Sequence, residues 1–368
     1  MQVLKSTKDA LLKPLQAVVG VVERKHTLPI LSNVLIEILN GRTAYVATDL
    51  ELQITTWAEA EGAADASFTV SARKLLDICR SLSDAEQIKL EMSGELLKLQ
   101  SGRSRFSLQT LPAKDFPKLH LPEGQGQTLA LPQGVFKRLL ARVQYAMAVQ
   151  DIRYYLNGML LSVQGKDLIM AATDGHRLAV DATQLEHEVA NNSELILPRK
   201  TVQELLKLLG DNDEPLHIQI SPNQVVFRRP EFELRSKVVD GKFPDWQRVI
   251  PSGHDKLFTI GRQRLSQSLT RAAILTNEKY RGVRLALTAG SLRIACSNNE
   301  QEEAQEELDI DYAGEALDIG FNVQYLQDAF NNLEGESVEC AFGDPTSSML
   351  ITVPGDNRFR YVVMPMRI

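Results

Sequence analysis

The sequence predicts an α+β protein built from three copies of one domain. One observation is a short strand-like string ending in Asp49, Asp174 or Asn298, with steps of 125 and 124 residues. Two further pairs keep nearly the same spacing: Arg73-Lys74 with Arg199-Lys200, and Phe116-Pro117 with Phe243-Pro244. A period this long is the size of a domain, whereas solenoid repeats span about 20–50 residues. The sequence therefore predicts domains at residues 1–121, 129–250 and 254–368.

The composition is typical of a soluble globular protein. The chain has 368 residues, of which 43% are hydrophobic and 24% charged. Neither a signal-peptide core near the N-terminus nor an apolar run long enough to span a bilayer is visible. Cys79, Cys296 and Cys340 are odd in number and far apart, which favours neither a disulfide framework nor a zinc site. We expect a reduced, cytoplasmic protein without a metal or cofactor.

Each copy is predicted to open with an amphipathic helix. In the second copy the apolar side chains follow helical spacing at Phe136, Leu139, Leu140, Val143 and Met147. The corresponding helices are predicted over residues 10–19, where Pro14 should disturb the early turns, and over residues 262–275.

Strands follow each first helix. They are predicted over residues 30–39 and 44–54 in the first copy, and over 156–164 and 168–182 in the second. Gly41 and Gly165 mark the turns between them.

A second helix and a closing hairpin complete each copy. The helix stripes are 72–82, 202–209 and 323–333. Hairpins are predicted to turn at Ser93-Gly94 and near Pro222-Asn223. The unit is thus two helices against mainly antiparallel strands.

Positive charge is concentrated on the predicted helices. The whole chain carries a net charge of −6. The six helical stretches with their flanking residues together carry +10, summed over residues 8–20, 72–82, 135–147, 198–209, 262–275 and 321–333. Helices on one face would give a basic surface on an acidic body, which attracts phosphates without reading sequence. Ordinary solvated helix surfaces also carry Lys and Arg, and the charge distribution alone leaves both interpretations open. The candidate DNA-facing cations on these stretches are Arg73, Arg80, Lys137, Arg138, Arg142, Arg199, Lys200, Lys207, Arg264 and Arg271.

Six longer strings give a specific resemblance. They are TLPIL at 27–31, SGRSRFSL at 101–108, YYLNGM at 154–159, ATDGHRL at 172–178, NEKYRGVR at 277–284 and YVVMPMRI at 361–368. These strings, in this order over essentially the whole chain, resemble the β subunit of bacterial DNA polymerase III, the sliding-clamp family. The resemblance implies three domains of DNA-clamp type and a head-to-tail homodimeric ring with helices lining the hole and sheets outside.

The resemblance also implies a non-enzymatic function in DNA replication. The ring would enclose duplex DNA without sequence specificity and act as a processivity factor for the replicative polymerase. Other implied partners are the clamp loader, other polymerases and repair proteins, which would bind through short linear peptide motifs.

A partner-peptide pocket is carried over from the family onto matching positions. It comprises Leu156, Thr173, Gly175, His176, Arg177, Leu178, Pro244, Arg248, Val249, Val362, Val363, Met364, Pro365 and Met366, with Asn322, Tyr325 and Ser348 at its rim. Without the resemblance, Leu178, Val249 and Val363 would be interpreted as ordinary core residues.

The dimer contact and the DNA loops are carried over in the same way. Phe106 and Leu108 would meet Ile274 and Leu275, while Lys74, Arg103 and Arg105 would face Glu300, Glu303 and Glu306. The DNA loops would contain Arg24 and Lys25, and Gln150 and Tyr154. The first loop differs from one family version, which has Gly-Gly-Arg-Pro where Glu23-Arg24-Lys25-His26 stands here.

Two alternative functions remain. Asp174 and His176 could serve an acid–base enzyme, but no third ligand or nucleophile stands at a useful spacing. The Asp or Asn repeated at this place in all three copies indicates turn chemistry instead. A specialised duplicate clamp, for instance one retained for drug resistance, would share the ring and differ in its partners or inhibitors.

Overall fold

The computed structural model describes residues 2–23, 27–59, 64–119 and 126–368. Within these ranges each copy contributes eight strands and two α-helices. None of the helices in the described ranges is both long and apolar enough to cross a membrane.

The elements recur in the same order in each copy. The first copy contains β1 (Gln2–Ser6), α1 (Lys8–Val19), β2 (Asn33–Leu39), β3 (Arg42–Thr48), β4 (Leu52–Glu59), β5 (Ala66–Ser71), α2 (Ala72–Ser81), β6 (Ile88–Ser93), β7 (Leu96–Ser101) and β8 (Ser104–Leu111). The second contains β9 (Gln127–Pro132), α3 (Gln133–Val143), β10 (Gly158–Gln164), β11 (Asp167–Thr173), β12 (Arg177–Gln184), β13 (Ser193–Pro198), α4 (Arg199–Leu208), β14 (Pro215–Ser221), β15 (Gln224–Arg228) and β16 (Phe232–Lys237). The third contains β17 (Lys256–Gly261), α5 (Arg262–Ala273), β18 (Gly282–Thr288), β19 (Ser291–Ser297), β20 (Glu303–Asp309), β21 (Leu317–Asn322), α6 (Val323–Asn332), β22 (Ser337–Phe342), β23 (Met349–Val353) and β24 (Asp356–Val363).

The predicted α+β class is confirmed, and the helices lie close to their predicted positions. The expectation that Pro14 disturbs the first helix is wrong, because α1 continues through it. Pro14 is buried together with Leu11, Leu15 and Val18, and its carbonyl oxygen accepts a hydrogen bond from the Thr56 hydroxyl (3.2 Å). Tertiary packing of the apolar face thus outweighs the hydrogen bond that proline removes.

The predicted strands were too long and too few. Residues 44–54 and 168–182 each form two antiparallel strands joined by a tight turn, rather than one strand. Residues 29–32 and 154–156 form short 3₁₀ turns before β2 and β10. An apolar pattern that continues on both sides of a tight turn gives no signal of the reversal.

One compact unit comprises Met1–Gly134 and Gln203–Val238. Its strands form a single twelve-stranded sheet in the order β1-β6-β7-β8-β5-β2-β3-β4-β16-β15-β14-β9. Antiparallel pairing of β4 with β16, in which Ile54 lies opposite Leu234, joins the first copy to the second.

The other compact unit comprises Val135–Val202 and Val239–Ile368. It contains an eight-stranded sheet, β13-β10-β11-β12-β24-β23-β22-β17, and a four-stranded sheet, β20-β19-β18-β21. Antiparallel pairing of β12 with β24, in which Ala179 lies opposite Tyr361, joins the second copy to the third. Among the described strands, β20 and β21 are the two edges of the four-stranded sheet. Two of the sheets contain strands from two copies, so the sheets do not mark where one domain ends and the next begins. The predicted domain limits therefore stay a prediction. Residue 121, the predicted end of the first domain, lies outside the described residues.

Candidate functional sites

A tight turn between β11 and β12 shapes the predicted pocket. The Asp174 carboxylate accepts hydrogen bonds from the backbone N–H groups of His176 (2.9 Å) and Arg177 (3.1 Å). The Thr173 hydroxyl donates to the carbonyl oxygen of Arg177 (2.6 Å), and Gly175 supplies the left-handed backbone at φ 90°. A glycine adopts this conformation without a β-carbon clash.

The equivalent turns in the other copies use the same bonds. The Asp49 carboxylate accepts from the backbone N–H of Leu52 (2.7 Å). The Asn298 side-chain oxygen accepts from the backbone N–H groups of Glu300 (2.9 Å) and Glu302 (3.0 Å). The interpretation of the repeated Asp or Asn as turn chemistry is confirmed.

A cavity of about 190 Å³ opens beside this turn. Its lining is Arg153, Tyr155, Leu156, Thr173, Gly175, Arg177, Leu178, Pro244, Val249, Val362 and Met364. Leu178 and Val362 lie opposite each other on β12 and β24 and are only 2% and 1% exposed. They belong to a buried cluster that also packs against Val249. These residues therefore serve both the core and the cavity, so the two sequence interpretations do not exclude each other.

Arg177 is fixed at the polar end of the cavity. Its guanidinium pairs with Asp174 (3.0 Å) and Asp328 (2.6 Å) and lies 4.5 Å from the centroid of the Tyr325 ring. Burial opposes its charge, but Tyr361 and the hydrogen bond to Asp328 outweigh this and raise the pKa of Arg177. The guanidinium is therefore charged and held in one orientation.

Several predicted pocket residues lie outside the lining. His176 is exposed and stacks on Tyr325 with 6.4 Å between ring centroids, and exposed Arg248 pairs with Asp245 (2.8 Å). The remaining ones are Val363, which is fully buried, Asn322, which caps α6, and the half-buried Tyr325, Ser348, Pro365 and Met366.

The sequence interpretation missed Arg153 and Tyr155. Both line the cavity next to Leu156. They flank Tyr154, which the sequence analysis assigned to DNA contact. Tyr154 lies in the 3₁₀ turn over Tyr154–Leu156 and is exposed, whereas Tyr155 and Leu156 line the cavity. The YYLNGM string was a usable signal, since it places them beside a predicted pocket residue.

The Asp174 carboxylate is committed to the turn and to Arg177, so it is not an available acid or base. Across the described part of the chain no three His, Cys, Asp or Glu side chains are placed to hold a metal ion.

The predicted DNA-facing cations fall into distinct environments. Arg73, Arg80, Arg138, Lys207, Arg264 and Arg271 are exposed, as are Gln150 and Tyr154, while Lys137, Arg199 and Lys200 are half-buried. The Arg199 guanidinium donates to the carbonyl oxygen of Met147 (3.2 Å), and burial lowers its pKa. Arg24 and Lys25 lie outside the described residues.

Arg142 does not fit with the exposed cations. It is 8% exposed and pairs with Asp181 (3.2 Å) and Asp356 (2.8 Å). Its guanidinium also lies 4.6 Å from the centroid of the Phe359 ring. The helix periodicity alone could not show that the last turn of α3 faces two carboxylates, so Arg142 is a buried ion-pair residue.

The predicted subunit-contact residues lie on β8 and β20, in the turns before these strands, on α2 and directly after α5. On β8, Arg105 is exposed and Phe106 and Leu108 are half-buried on one face. Ile274, directly after α5, is 76% exposed and Leu275 is half-buried. Lys74, Arg103, Glu300 and Glu303 are exposed, while Glu306 pairs with Arg271 through a 2.8 Å hydrogen bond.

Fold and site together define a three-domain accessory subunit of the clamp class. Family models match the chain in three successive parts: the N-terminal domain of the DNA polymerase III beta subunit at residues 3–120, the central domain at 130–245 and the C-terminal domain at 247–367. The chain therefore belongs to the DNA polymerase III β sliding-clamp family, whose members are non-catalytic processivity factors of DNA replication with DNA and polymerase partners.

Individual relatives are similar over their whole length. Beta sliding clamps of Pseudomonas putida and Escherichia coli are 46% and 44% identical to this chain, each over 98% of both chains. The sliding clamp of Pseudomonas aeruginosa bound to griselimycin superimposes with a TM-score of 0.95 at 44% identity, covering 100% of both chains. The polymerase III beta subunit of Caulobacter crescentus superimposes with a TM-score of 0.92 at 37% identity, also over 100% of both.

Proposed function

We propose that two copies of this chain join head to tail through β20 of one and β8 of the other, forming a ring that encloses duplex DNA in the cytoplasm. One observation carries this proposal. Copies are joined within the chain by pairing the fourth strand of one with the last strand of the next, β4 with β16 and β12 with β24. In the third copy β20 is the equivalent of β4 and β12, and no described strand pairs with its outer side.

Both internal joints have the same register. Ile54 opposite Leu234 and Ala179 opposite Tyr361 occupy equivalent positions, because Ile54 and Ala179 each lie five places after the Asp of their turn. The third turn is one residue longer, since Ser297 pairs with Glu303 where Thr173 pairs with Leu178. Phe106 on β8 is the equivalent of Leu234 on β16, because Phe106 pairs with Leu99 of the preceding strand as Leu234 pairs with Phe227. The repeat therefore predicts Ala304 opposite Phe106 of the second copy.

Charge and burial are complementary in this arrangement. The β8 side carries Lys74, Arg103 and Arg105, and the β20 side carries Glu300, Glu303 and Glu306. Exposed Ile274 and half-buried Leu275 give the apolar part of the contact with Phe106 and Leu108. On its side away from β7, β8 pairs with β5 only at Thr110 and Leu111, so among the described strands residues 104–109 keep an open edge. A strand edge with open backbone groups is a template for pairing with another chain.

A cysteine pair tests the register. Ala304→Cys combined with Phe106→Cys should form an intermolecular disulfide, because directly opposed strand residues bring their β carbons within reach. The matched control is Ala304→Cys with Leu108→Cys, which is displaced by two residues. A crosslinked dimer formed equally by both pairs, or by neither, contradicts this register.

The ring encloses DNA by topology and not by tight contact. The exposed Arg73, Arg80, Arg138, Lys207 and Arg264 provide diffuse attraction to phosphates, which weakens with salt. The protein should stay on nicked circular duplex and leave the same DNA once it is linearised. Tight, sequence-selective binding to a short duplex would contradict a sliding ring.

The cavity beside Leu178 takes a short peptide from the replicative polymerase, the clamp loader, other polymerases or repair proteins. An apolar lining with the guanidiniums of Arg153 and Arg177 beside it suits a peptide that buries one or two Leu or Phe side chains. Met364 adapts to different anchors, because a thioether side chain is flexible and polarisable.

A fluorescent peptide carrying Gln and a Leu-Phe pair measures this site. Met364→Ala should weaken its binding by at least about tenfold, roughly 1.4 kcal/mol. Removal of residues 364–368 should abolish binding and polymerase stimulation on a long primed template, while the protein stays dimeric. Wild-type affinity in both variants would place the peptide site elsewhere. A specialised duplicate clamp would pass the ring tests and differ in its peptide preferences.

A further inference from the structure

Two glycines leave a notch on one face of the four-stranded sheet. Gly282 on β18 pairs with Asn322, and Gly320 on β21 pairs with Arg284. Residues two apart on a strand share a face, so the two glycines are diagonal neighbours on the same face. The missing side chains leave a gap between Asn322 and Arg284.

Ile368 occupies this notch. A β carbon on Gly320 would lie 2.6 Å from the Ile368 Cδ1 atom and 2.6 Å from the Met366 carbonyl oxygen. A β carbon on Gly282 would lie 3.2 Å from the Ile368 Cδ1 atom. Position 320 therefore excludes any side chain while Ile368 is seated, and position 282 leaves little room for one.

Backbone hydrogen bonds connect the notch to the peptide cavity. The Met366 N–H donates to the carbonyl oxygen of Gly320 (2.8 Å), and the Met364 N–H donates to the carbonyl oxygen of His176 (2.9 Å). Met364 lines the cavity and is 40% exposed. The segment of residues 364–368 is thus held at the turn before β12, at β21 and at the notch.

We propose that Ile368, seated on Gly282 and Gly320, is a positioning residue for the peptide site. It does not line the cavity; it holds residues 364–368 in place so that Met364 forms the cavity wall before a peptide arrives. Without the seat, a peptide must order this segment on binding, and that ordering reduces affinity. This proposal rests on the proposed peptide site.

The test uses the full-length dimer with three variants of the notch. Ile368→Ala empties it, Gly320→Ala fills it, and Ile368→Leu keeps an apolar side chain of equal size. The readouts are the affinity for the fluorescent peptide and the ¹³C-methyl NMR signal of Met364 without peptide, assigned with Met364→Leu. Leu257→Ala, at an exposed apolar residue of β17, is the matched control.

We expect Ile368→Ala and Gly320→Ala to weaken peptide binding about three- to tenfold and to move or broaden the Met364 methyl signal. Ile368→Leu should restore affinity to within about twofold of wild type. Leu257→Ala should change neither readout.

The outcomes separate this proposal from the proposed peptide site. If Met364→Ala weakens binding but Ile368→Ala and Gly320→Ala change neither readout, the notch has no positioning role and the peptide site stands. If Met364→Ala binds like wild type, the peptide site is wrong, and an altered Met364 signal then shows only that the notch holds the segment. A loss of dimer mass or a lower melting temperature in Ile368→Ala would assign Ile368 a structural role instead.

Discussion

The joint between the second and third copies and the open edge of the third copy carry the same ion pair in opposite environments. Arg142 and Arg271 occupy the last turns of α3 and α5. Asp181 and Glu306 occupy equivalent positions, because they pair with Met170 and Ile294, which are 124 residues apart. The Arg142–Asp181 pair is buried, whereas the Arg271 side chain is 54% exposed.

The burial of the inner pair comes from the next copy. Asp356 and Phe359 on β24 contact the Arg142 guanidinium, and β24 covers the edge of β12. On the open edge, no described strand pairs with the outer side of β20. One repeat can thus place an ion pair at its boundary, but only the neighbouring copy determines whether that pair is solvated.

The pKa values of the two acidic partners, Asp181 and Glu306, are shifted in opposite directions. Burial raises the pKa of Asp181 to about 6, although Arg142 acts against it. At the open edge the hydrogen bond from Arg271 lowers the pKa of Glu306. Desolvation dominates at the covered joint and ion pairing dominates at the exposed one.

The largest expected effect is the loss of the dimer when the apolar contact at the open edge is removed. Ile274→Ala with Leu275→Ala removes the apolar contact proposed for the second copy, worth about 2–5 kcal/mol per site once buried. The ring has two such contacts, so light scattering should show a monomer at micromolar concentration. An unchanged dimer mass would exclude this interface, and Leu257→Ala serves as the control that keeps the dimer.

Breaking the inner ion pair comes next. Arg142→Met leaves the buried Asp181 and the half-buried Asp356 without their cation and should lower the free energy of unfolding by about 3–5 kcal/mol in urea titrations. Arg271→Met is the matched variant at the open edge and should leave the urea midpoint unchanged, since exposed pairs contribute little. Equal shifts in the two variants would show that burial does not distinguish the joints.

The pH dependence should reveal the raised pKa of Asp181. A group whose folded pKa is raised contributes stability below its unfolded pKa of about 4, and this is lost as pH rises through about 6. Compared with wild type, Asp181→Asn should therefore gain stability between pH 4 and pH 7, by up to about 3 kcal/mol. Glu306→Gln should show the opposite sign in the same urea series, because its folded pKa is lowered. If the difference in stability between Asp181→Asn and wild type does not change with pH, the raised pKa of Asp181 is contradicted.

The smallest expected effect compares the turns before β12 and β20. Asn298→Ala removes the acceptor of two backbone N–H groups and should cost about 1 kcal/mol. Asn298→Asp keeps the acceptor but replaces the side-chain N–H that donates to the Glu302 carboxylate (2.6 Å) by a like charge, so it should recover only part of that loss. Asp174→Ala should cost more than Asn298→Ala, because it also removes a partner of Arg177. Thermal unfolding of the three variants measures this order, and an equal loss in all three would contradict it.

The repeat, the helices and the turn chemistry could be predicted from the amino-acid sequence alone. These depend on residues close together in the chain: an apolar stripe at helical spacing, an alternating strand, or an Asp that bonds the backbone two and three residues on. Helical stripes such as Phe136, Leu139 and Leu140 are buried as their spacing requires. Long strings shared with the clamp family added the pocket positions, most of which line one cavity.

The environments of side chains whose neighbours are distant in sequence could be seen only in the tertiary structure. Whether Arg142 faces solvent or is buried against Asp356 and Phe359 depends on β24, more than 200 residues away, and helix periodicity contains no information about that strand. Likewise, Gly282, Gly320 and Ile368 form a notch only because β18 and β21 pair in one register. Local pattern fixes which face of an element is apolar, whereas solvation and cavity shape are set by the element that packs against it.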